Sequence, residues 1–325
     1  MGLGTNKSLK RLAILLAIGL VLVNFTAWRN ARFFFHYADR DAEALPRPES
    51  LTWSQKIKLG LDGIRIPKPQ EHDLPNAWGL PFEEIMLPGR DGLELAAWRI
   101  PAEDPDTTVL LYHGYNSEKS GLLPEAKLFS GMGHQVILID FPGAGDSPGN
   151  TVSLGIFEAR DVVTTLDWAR ATYPDHRIIL YGHSMGAAAV LRAMARHGAT
   201  PDAAIIESVF DSLVNALRQR FRLVSLPPWP AADLLLFWGS VDLRTNGFDH
   251  RPVDFAAAVT IPTMVIHGRE DDRALWKGAE VVYNRLAGKK DILLIDKAEH
   301  ANICLMDPEL WTERVQAFIQ SVSLK

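Results

Sequence analysis

The sequence predicts an α/β fold with an eight-stranded, mostly parallel sheet and helices on both of its faces. Apolar runs of strand length recur from residue 84 onwards, and helical patterns separate the later runs. Strands that alternate with helices are typical of a parallel sheet, because each helix returns the chain to the same starting edge. The predicted strands cover residues 84–87, 93–100, 108–112, 136–140, 178–181, 203–206, 263–267 and 292–295. The helical patterns cover residues 154–172, 185–197, 274–286 and 308–321.

The composition is that of a chain with a large buried core. Apolar residues make up 47% and charged residues 22% of the 325 residues, which argues against a disordered chain and against a multi-span membrane protein. The net charge of -5 and the scattered basic residues argue against a nucleic-acid partner. Cys304 is the only cysteine, so an intramolecular disulfide and a cysteine-rich metal site are both excluded.

The N-terminal segment has the pattern of a single membrane span. No charge occurs in residues 12–28, which as a helix would reach about 25 Å, slightly less than the ~30 Å hydrocarbon core. We therefore predict a short tail over residues 1–11 and a transmembrane anchor over residues 12–28. A cleaved signal peptide is the alternative, although Phe25 is too large for the usual cleavage site. Basic residues flank both ends of the span: Lys7, Lys10, Arg11, Arg29, Arg32 and Arg40. We expect the catalytic domain on the non-cytoplasmic side.

Three further regions follow the anchor. Residues 29–80 are rich in charges and prolines and predict a juxtamembrane stalk with one short helix around residues 51–61. The catalytic domain is predicted over residues 81–325, with a small cap segment around residues 207–260. The apolar stretch 226–238 inside that cap has two interpretations, a helix packed on the sheet or an acyl-binding wall.

A serine between two glycines follows the fifth predicted strand. In "GHSMG", Ser184 stands two residues after Gly182 and two residues before Gly186, directly before a helical pattern. A turn this abrupt needs glycines where side chains would collide, and it lifts the serine hydroxyl clear of the sheet. The amide of Met185 would then lie at a helix N-terminus, where an unpaired N–H can stabilise an oxyanion.

A base and an acid should accompany a nucleophilic serine. His300 lies in "KAEHANI", in a loop between the last strand and the final helix, at the same sheet edge as Ser184. Asp271 in "HGREDD" is our choice of acid, with Asp272 and Glu270 as neighbouring rivals. Three other histidines stand next to glycine on or beside strands and are interpreted as tightly packed residues: His113, His183 and His267.

The second oxyanion donor is expected after an earlier strand. In "YHGYNSEKSG", Gly114 permits a sharp turn that can direct the amide of Tyr115 towards a reacting carbonyl, although an ordinary glycine-containing loop would look the same. The glycine-rich stretch "DFPGAGDSPG" also follows a strand. Its spacing departs from G-x-G-x-x-G, which disfavours a nucleotide-binding oxidoreductase.

Six ordered blocks together resemble the α/β-hydrolase superfamily, in particular its serine-aminopeptidase-like and BEM46-like branch: "LLYHGYNSEKSG", "LIDFPGAGDSPG", "SLGIFEARDVVTTLDWA", "LYGHSMGAAAVL", "VIHGREDD" and "AEHANI". The resemblance covers residue 81 to the C-terminus and implies the α/β-hydrolase fold. It also implies Ser184 as nucleophile, Asp271 as acid, His300 as base, and the amides of Tyr115 and Met185 as oxyanion hole.

This resemblance implies a serine hydrolase that acts on a small-molecule or lipid-like ester and needs no cofactor or metal. A serine peptidase or thioesterase of the same fold, and a catalytically silent membrane-tethered binding module, are the alternatives. Because every residue assigned to chemistry lies beyond Pro81, we expect a chain that begins near Ala38 to be soluble and to hydrolyse short esters.

Overall fold

The computed structural model describes residues 3–39 and 52–322, and its centre is one eight-stranded sheet. Residues 1–2, 40–51 and 323–325 lie outside the described residues, and the range 40–51 is part of the predicted stalk. The strands are β1 (Glu83–Pro88), β2 (Glu94–Ile100), β3 (Thr107–Tyr112), β4 (Gln135–Ile139), β5 (Arg177–His183), β6 (Ala203–Glu207), β7 (Thr263–Gly268) and β8 (Lys290–Ile295).

The strand order is β1-β2-β4-β3-β5-β6-β7-β8. The β1–β2 and β2–β4 pairs are antiparallel, and every pair from β4 to β8 is parallel, so the predicted mostly parallel sheet is confirmed. Strands β3 and β4 are buried at every position, as expected for a sheet that is covered on both faces. Parallel strands place their carboxyl ends at one edge, where the loops after β3, β5, β7 and β8 meet.

Helices cover both faces of the sheet. One apolar core lies beneath the helices of residues 158–172, 185–196, 252–256 and 276–285, and the other lies beneath the helices of residues 123–131, 303–306 and 308–320. The helices of the described chain are α1 (Leu3–Phe35), α2 (Trp53–Asp62), α3 (Leu123–Gly131), α4 (Glu158–Thr172), α5 (Met185–Arg196), α6 (Leu213–Leu223), α7 (Ala231–Asp242), α8 (Pro252–Ala256), α9 (Trp276–Arg285), α10 (Ile303–Met306) and α11 (Pro308–Gln320).

Helix α1 is long and apolar enough to cross a membrane. Its candidate span, Lys7–Phe35, has a mean hydropathy of 1.9, and none of its most apolar window is buried by the rest of the chain. The helix does not end at residue 28, where the predicted anchor ends. It continues to Phe35, and its last turns pack on the folded domain, with Ala31 and Phe35 buried. The first residues of the predicted stalk are therefore part of the folded domain.

The cap between β6 and β7 contains two longer helices, and neither interpretation of the apolar stretch 226–238 describes it. Helix α7 carries most of that stretch and packs mainly against α1, while α6 lies over the carboxyl edge of the sheet. Leu235 and Leu236 are buried in the α1–α6–α7 cluster, whereas Trp229 and Phe237 remain exposed. A periodic apolar pattern marks which face is buried but not the helix that buries it.

Candidate active site

Ser184 occupies a strained turn between β5 and α5. Its φ of 52° and ψ of -106° lie outside the usual regions for a residue with a side chain. A Cβ on Gly182 would lie 2.5 Å from the carbonyl carbon and oxygen of Gly186, and a Cβ on Gly186 would overlap the carbonyl oxygen of Tyr112. The backbone therefore passes too close for side chains at either position. The Ser184 amide donates to the carbonyl of Glu207 at 2.8 Å, which ties the turn to β6.

A continuous hydrogen-bonded series joins the three predicted triad residues. His300 Nε2 lies 3.1 Å from Ser184 Oγ, and His300 Nδ1 lies 2.8 Å from Asp271 Oδ2. All three side chains are largely buried, although 116 residues separate Ser184 from His300 in the sequence. A carboxylate beside Nδ1 keeps the proton on that nitrogen, so Nε2 is free to accept the serine proton.

The Asp271 carboxylate is held by four groups. Its Oδ1 accepts the backbone N–H groups of Arg273 and Ala274 at 2.9 and 2.8 Å, and its Oδ2 faces His267 Nε2 at 3.2 Å as well as His300. Burial alone would raise the pKa of Asp271, but the hydrogen bonds from His267 and His300 outweigh it and hold the pKa below its usual value. Asp271 is therefore ionised beside the imidazole. Of the rivals, Asp272 and Glu270 are exposed.

The amides of Tyr115 and Met185 are both available at the cleft. Both residues line the same cleft as Ser184 and His300. Met185 is the first residue of α5, and neither amide donates to an acceptor among the residues that the structure describes. Gly114 permits this approach, because a Cβ there would lie 3.0 Å from Nδ1 of His183. Two free N–H groups beside a serine hydroxyl are the arrangement that an oxyanion requires.

The three histidines interpreted as packed residues each support one loop of the site. His113 Nδ1 donates to the Gly114 carbonyl at 2.8 Å, and its Nε2 accepts the amide of Phe141. His183 Nε2 donates to the carbonyl of His300 at 2.8 Å, and burial lowers its pKa to about 3, so its ring is neutral. His267 donates to the Ala274 carbonyl at 2.6 Å.

Sequence reasoning assigned these histidines no role. A signal existed, because each stands beside a glycine at the carboxyl end of a parallel strand. Ser208 was also missed, and its hydroxyl donates to the His300 carbonyl at 3.0 Å. The backbone at His300 is thus held by two donors from neighbouring strands.

The end of α1 contacts the loop that carries Tyr115. The Tyr115 hydroxyl donates to the carbonyl of Phe34 at 2.8 Å, and the two rings stack with centroids 4.9 Å apart. Just past the helix, the Tyr37 hydroxyl accepts the amide of Asn116 at 2.9 Å. A chain that begins at Ala38 would lose all three contacts. The expectation that such a chain keeps its activity is therefore replaced by a different prediction, developed in the Discussion.

The same end of α1 is attached to the cap. His36 Nε2 lies 2.5 Å from Asp242 Oδ2 at the end of α7, and the Trp238 indole donates to Asn24 at 3.2 Å. A Cβ on Gly239 would overlap the ring of Phe35, so the two helices approach closely at this glycine. The apolar helix and the cap therefore form one packed unit.

Two buried carboxyl groups lie behind the nucleophile turn. The Glu207 side chain accepts the Trp311 indole N–H at 3.4 Å, and Glu125 accepts the thiol of Cys304 at 3.4 Å. Burial raises the pKa of Glu125 to about 7 and that of Glu207 well above its usual value. Both groups therefore favour the neutral form inside the core.

This sheet order, with the strained serine turn and the edge of loops, is the α/β-hydrolase fold that the sequence predicted, and solved structures of that fold superpose on the chain. The family model described as serine aminopeptidase, S33, matches residues 103–221. Among solved structures, the Pyrococcus furiosus esterase Pf2001 superposes with a TM-score of 0.64 at 21% identity and covers 78% of this chain and 98% of its own. A membrane phospholipase A described as a bacterial virulence factor gives a TM-score of 0.54 at 20% identity, covering 76% and 88%.

Two relatives are similar to the chain in sequence, at 27% and 26% identity. The uncharacterized protein YqkD of Bacillus subtilis is 27% identical over 283 residues, which cover 82% of this chain and 89% of that protein. The lysophosphatidylserine lipase ABHD12 of Xenopus tropicalis is 26% identical over 191 residues, covering 57% and 48%. The chain thus spans about half the length of ABHD12. The chain is thus similar in fold to an esterase and in sequence to part of a lipase.

Proposed function

We propose that this protein is a membrane-anchored serine hydrolase that cleaves carboxylic esters through an acyl-enzyme intermediate. The observation that carries the proposal is the hydrogen-bonded series from Ser184 Oγ through the His300 ring to Asp271, with distances of 3.1 and 2.8 Å. The strained backbone of Ser184 supports it, because such strain persists where a side chain must be presented for chemistry.

In the proposed mechanism, His300 Nε2 accepts the proton of Ser184 Oγ as that oxygen attacks the carbonyl carbon of the ester. The carbonyl oxygen becomes an oxyanion, and the amides of Tyr115 and Met185 donate to it. The imidazolium then protonates the leaving alkoxide, which leaves an acyl group on Ser184. Water, deprotonated by the same imidazole, hydrolyses this acyl-enzyme and restores the serine. Asp271 stays ionised throughout and stabilises the imidazolium.

The cleft favours an ester over the free N-terminus of a peptide. An aminopeptidase must hold a protonated amine, which calls for a carboxylate or a set of carbonyl oxygens near the nucleophile. The described lining of this cleft has two arginines, Arg220 and Arg273, and no aspartate or glutamate side chain. The remaining wall is largely apolar, and α6 contributes Leu213, Ala216 and Leu217 to it. An apolar wall of this kind suits an acyl chain.

The membrane part of the proposal rests on α1. In this proposal residues 1–11 form a short tail, the apolar part of α1 crosses the bilayer, and residues 81–325 carry the catalytic domain on the non-cytoplasmic side. An uncleaved span resists extraction by high salt and carbonate, because its insertion depends on apolar burial rather than charge. N-terminal sequencing of the membrane fraction tests this point, and a mature N-terminus beyond Trp28 would instead indicate a cleaved signal peptide.

A fluorophosphonate probe tests the chemistry. We expect it to label the wild-type protein and not Ser184→Ala, and we expect Ser184→Ala and His300→Ala each to lose several orders of magnitude in p-nitrophenyl ester hydrolysis. Ser130→Ala is a matched control, because this serine lies in the last turn of α3, which precedes the amino end of β4, and it does not line the cleft. Appreciable turnover by either triad variant would refute the assignment. A wild-type protein without labelling or turnover would instead support the binding module.

A further inference from the structure

Two arginines lie on the wall of the cleft that contains Ser184 and His300. Arg220 comes from the last turn of α6, and Arg273 lies two residues after Asp271. Arg220 is half-buried, while Arg273 is exposed at the cleft. A neutral ester needs no positive charge in this position, since the proposed oxyanion donors are backbone amides.

Neither guanidinium has a carboxylate partner within the described ranges 3–39 and 52–322. The neighbouring Arg218 on the same helix provides a contrast, because it pairs with Asp233 on α7 at 2.5 Å. Burial lowers the pKa of Arg220, and the charge of Arg273 lowers it further, yet a guanidinium remains protonated at neutral pH. A half-buried guanidinium with no carboxylate partner among the described residues can pair with an anion that enters the cleft.

Packing restrains the side chain of Arg220. Its guanidinium carbon lies 4.7 Å from the centroid of the Tyr115 ring and 5.7 Å from that of Phe34. Cation–π contacts at this distance restrict the planar group while its N–H donors remain able to bind an anion. The positive charge is therefore held against the residue whose amide is proposed to contact the oxyanion.

We propose that Arg220 and Arg273 form an anion subsite beside Ser184, and that the preferred substrate is an ester that carries a phosphate or carboxylate group a few bonds from its carbonyl. This inference rests on the proposed ester hydrolysis. Arginine binds both anions through paired N–H donors, and two arginines match the charge of a phosphate. The apolar wall from α6 holds the acyl chain in this arrangement.

Matched substrates and variants test the subsite in the full-length protein. The first substrate pair is octanoyl glycerol and the same ester with a phosphate on its terminal hydroxyl, both below their micellar concentrations. The second pair is p-nitrophenyl butyrate and the p-nitrophenyl monoester of glutaric acid, whose free carboxylate lies on the acyl side. The readout is the ratio of kcat/KM for the charged ester to that for the neutral ester. The variants are Arg220→Gln, Arg273→Gln, their lysine counterparts, and Arg222→Gln as control, because Arg222 is exposed on α6 outside the cleft.

We expect the wild-type ratio to exceed one for at least one pair, and to fall about tenfold in each glutamine variant of the cleft. Lysine at either position should restore part of the ratio, and Arg222→Gln should leave it unchanged. A wild-type ratio of one or less for both pairs would contradict the subsite. So would cleft variants that lower the ratio no more than Arg222→Gln does. Neither result would contradict the proposed ester hydrolysis. If neither neutral nor charged esters were turned over and Ser184 were not labelled, the proposed function itself would fail.

Discussion

The depth of an N-terminal truncation is expected to decide whether a soluble form of this protein is active. A chain that begins at Arg29 keeps the packed end of α1, whereas a chain that begins at Ala38 lacks Phe34, Phe35 and Tyr37. Both chains lose the apolar part of the predicted span. The comparison therefore separates the role of membrane insertion from the role of the contacts that α1 makes with the catalytic domain.

The expected loss follows from the contacts at the Tyr115 loop. Two hydrogen bonds, at 2.8 and 2.9 Å, contribute about 1 kcal/mol each, and the stacked ring pair contributes about 1 kcal/mol. Losing about 3 kcal/mol corresponds to roughly a hundredfold fall in the equilibrium constant between the ordered and the disordered loop. Removing one oxyanion donor costs about a hundred- to a thousandfold in kcat. We therefore expect the chain from Ala38 to be about ten- to a hundredfold less active than the chain from Arg29.

The assay is kcat/KM for p-nitrophenyl butyrate, with the circular dichroism spectrum of each chain as a check on folding. Two full-length variants refine the comparison. Phe34→Ala removes the stacked ring and keeps the backbone carbonyl, and Tyr37→Phe removes only the hydroxyl that accepts the Asn116 amide. Each should show a smaller loss than the truncation. A folded chain from Ala38 with the same kcat/KM as the chain from Arg29 would refute the claim that α1 positions this loop.

Three further results are expected. Asp271→Asn should lower kcat for ester hydrolysis by about a thousandfold or more, since the imidazole loses the partner that sets its tautomer. Asp272→Asn should lower kcat only slightly. If ester kinetics rank the two variants in reverse, the acid is Asp272. Glu125 has a pKa of about 7 in the folded chain, so the folded state holds this proton more tightly than the unfolded state does. The free energy of unfolding should therefore fall by up to about 3 kcal/mol as the pH rises from 4.5 to 7. Urea titrations of Glu125→Gln should show a weaker dependence on pH. Gly239→Ala should lower the Tm, because its methyl group would overlap Phe35; an unchanged Tm would show that the helices can separate there.

Local patterns in the sequence determined the sheet, the faces of its helices and the order of the candidate triad. Strand runs such as residues 108–112 and 136–140 are mostly apolar, and a parallel sheet that is buried on both faces favours that composition. Ser184 could be recognised because the glycines around it are a steric necessity of a tight turn. Chain order then indicated Asp271 and His300, since loops at the carboxyl ends of parallel strands share one edge.

Tertiary structure alone decided the contacts between distant segments. The packing of Phe34 on Tyr115 joins residues 81 positions apart, and no periodicity in either segment records which surface the other will meet. The same holds for the carbonyl of His300, which His183 and Ser208 hold from neighbouring strands. That no carboxylate of the described residues pairs with Arg220 is visible only once the helices are packed, because a sequence shows that a charge is present but not which partners surround it. Periodicity and sterics act within a few residues, whereas burial and pairing depend on how the completed elements pack together.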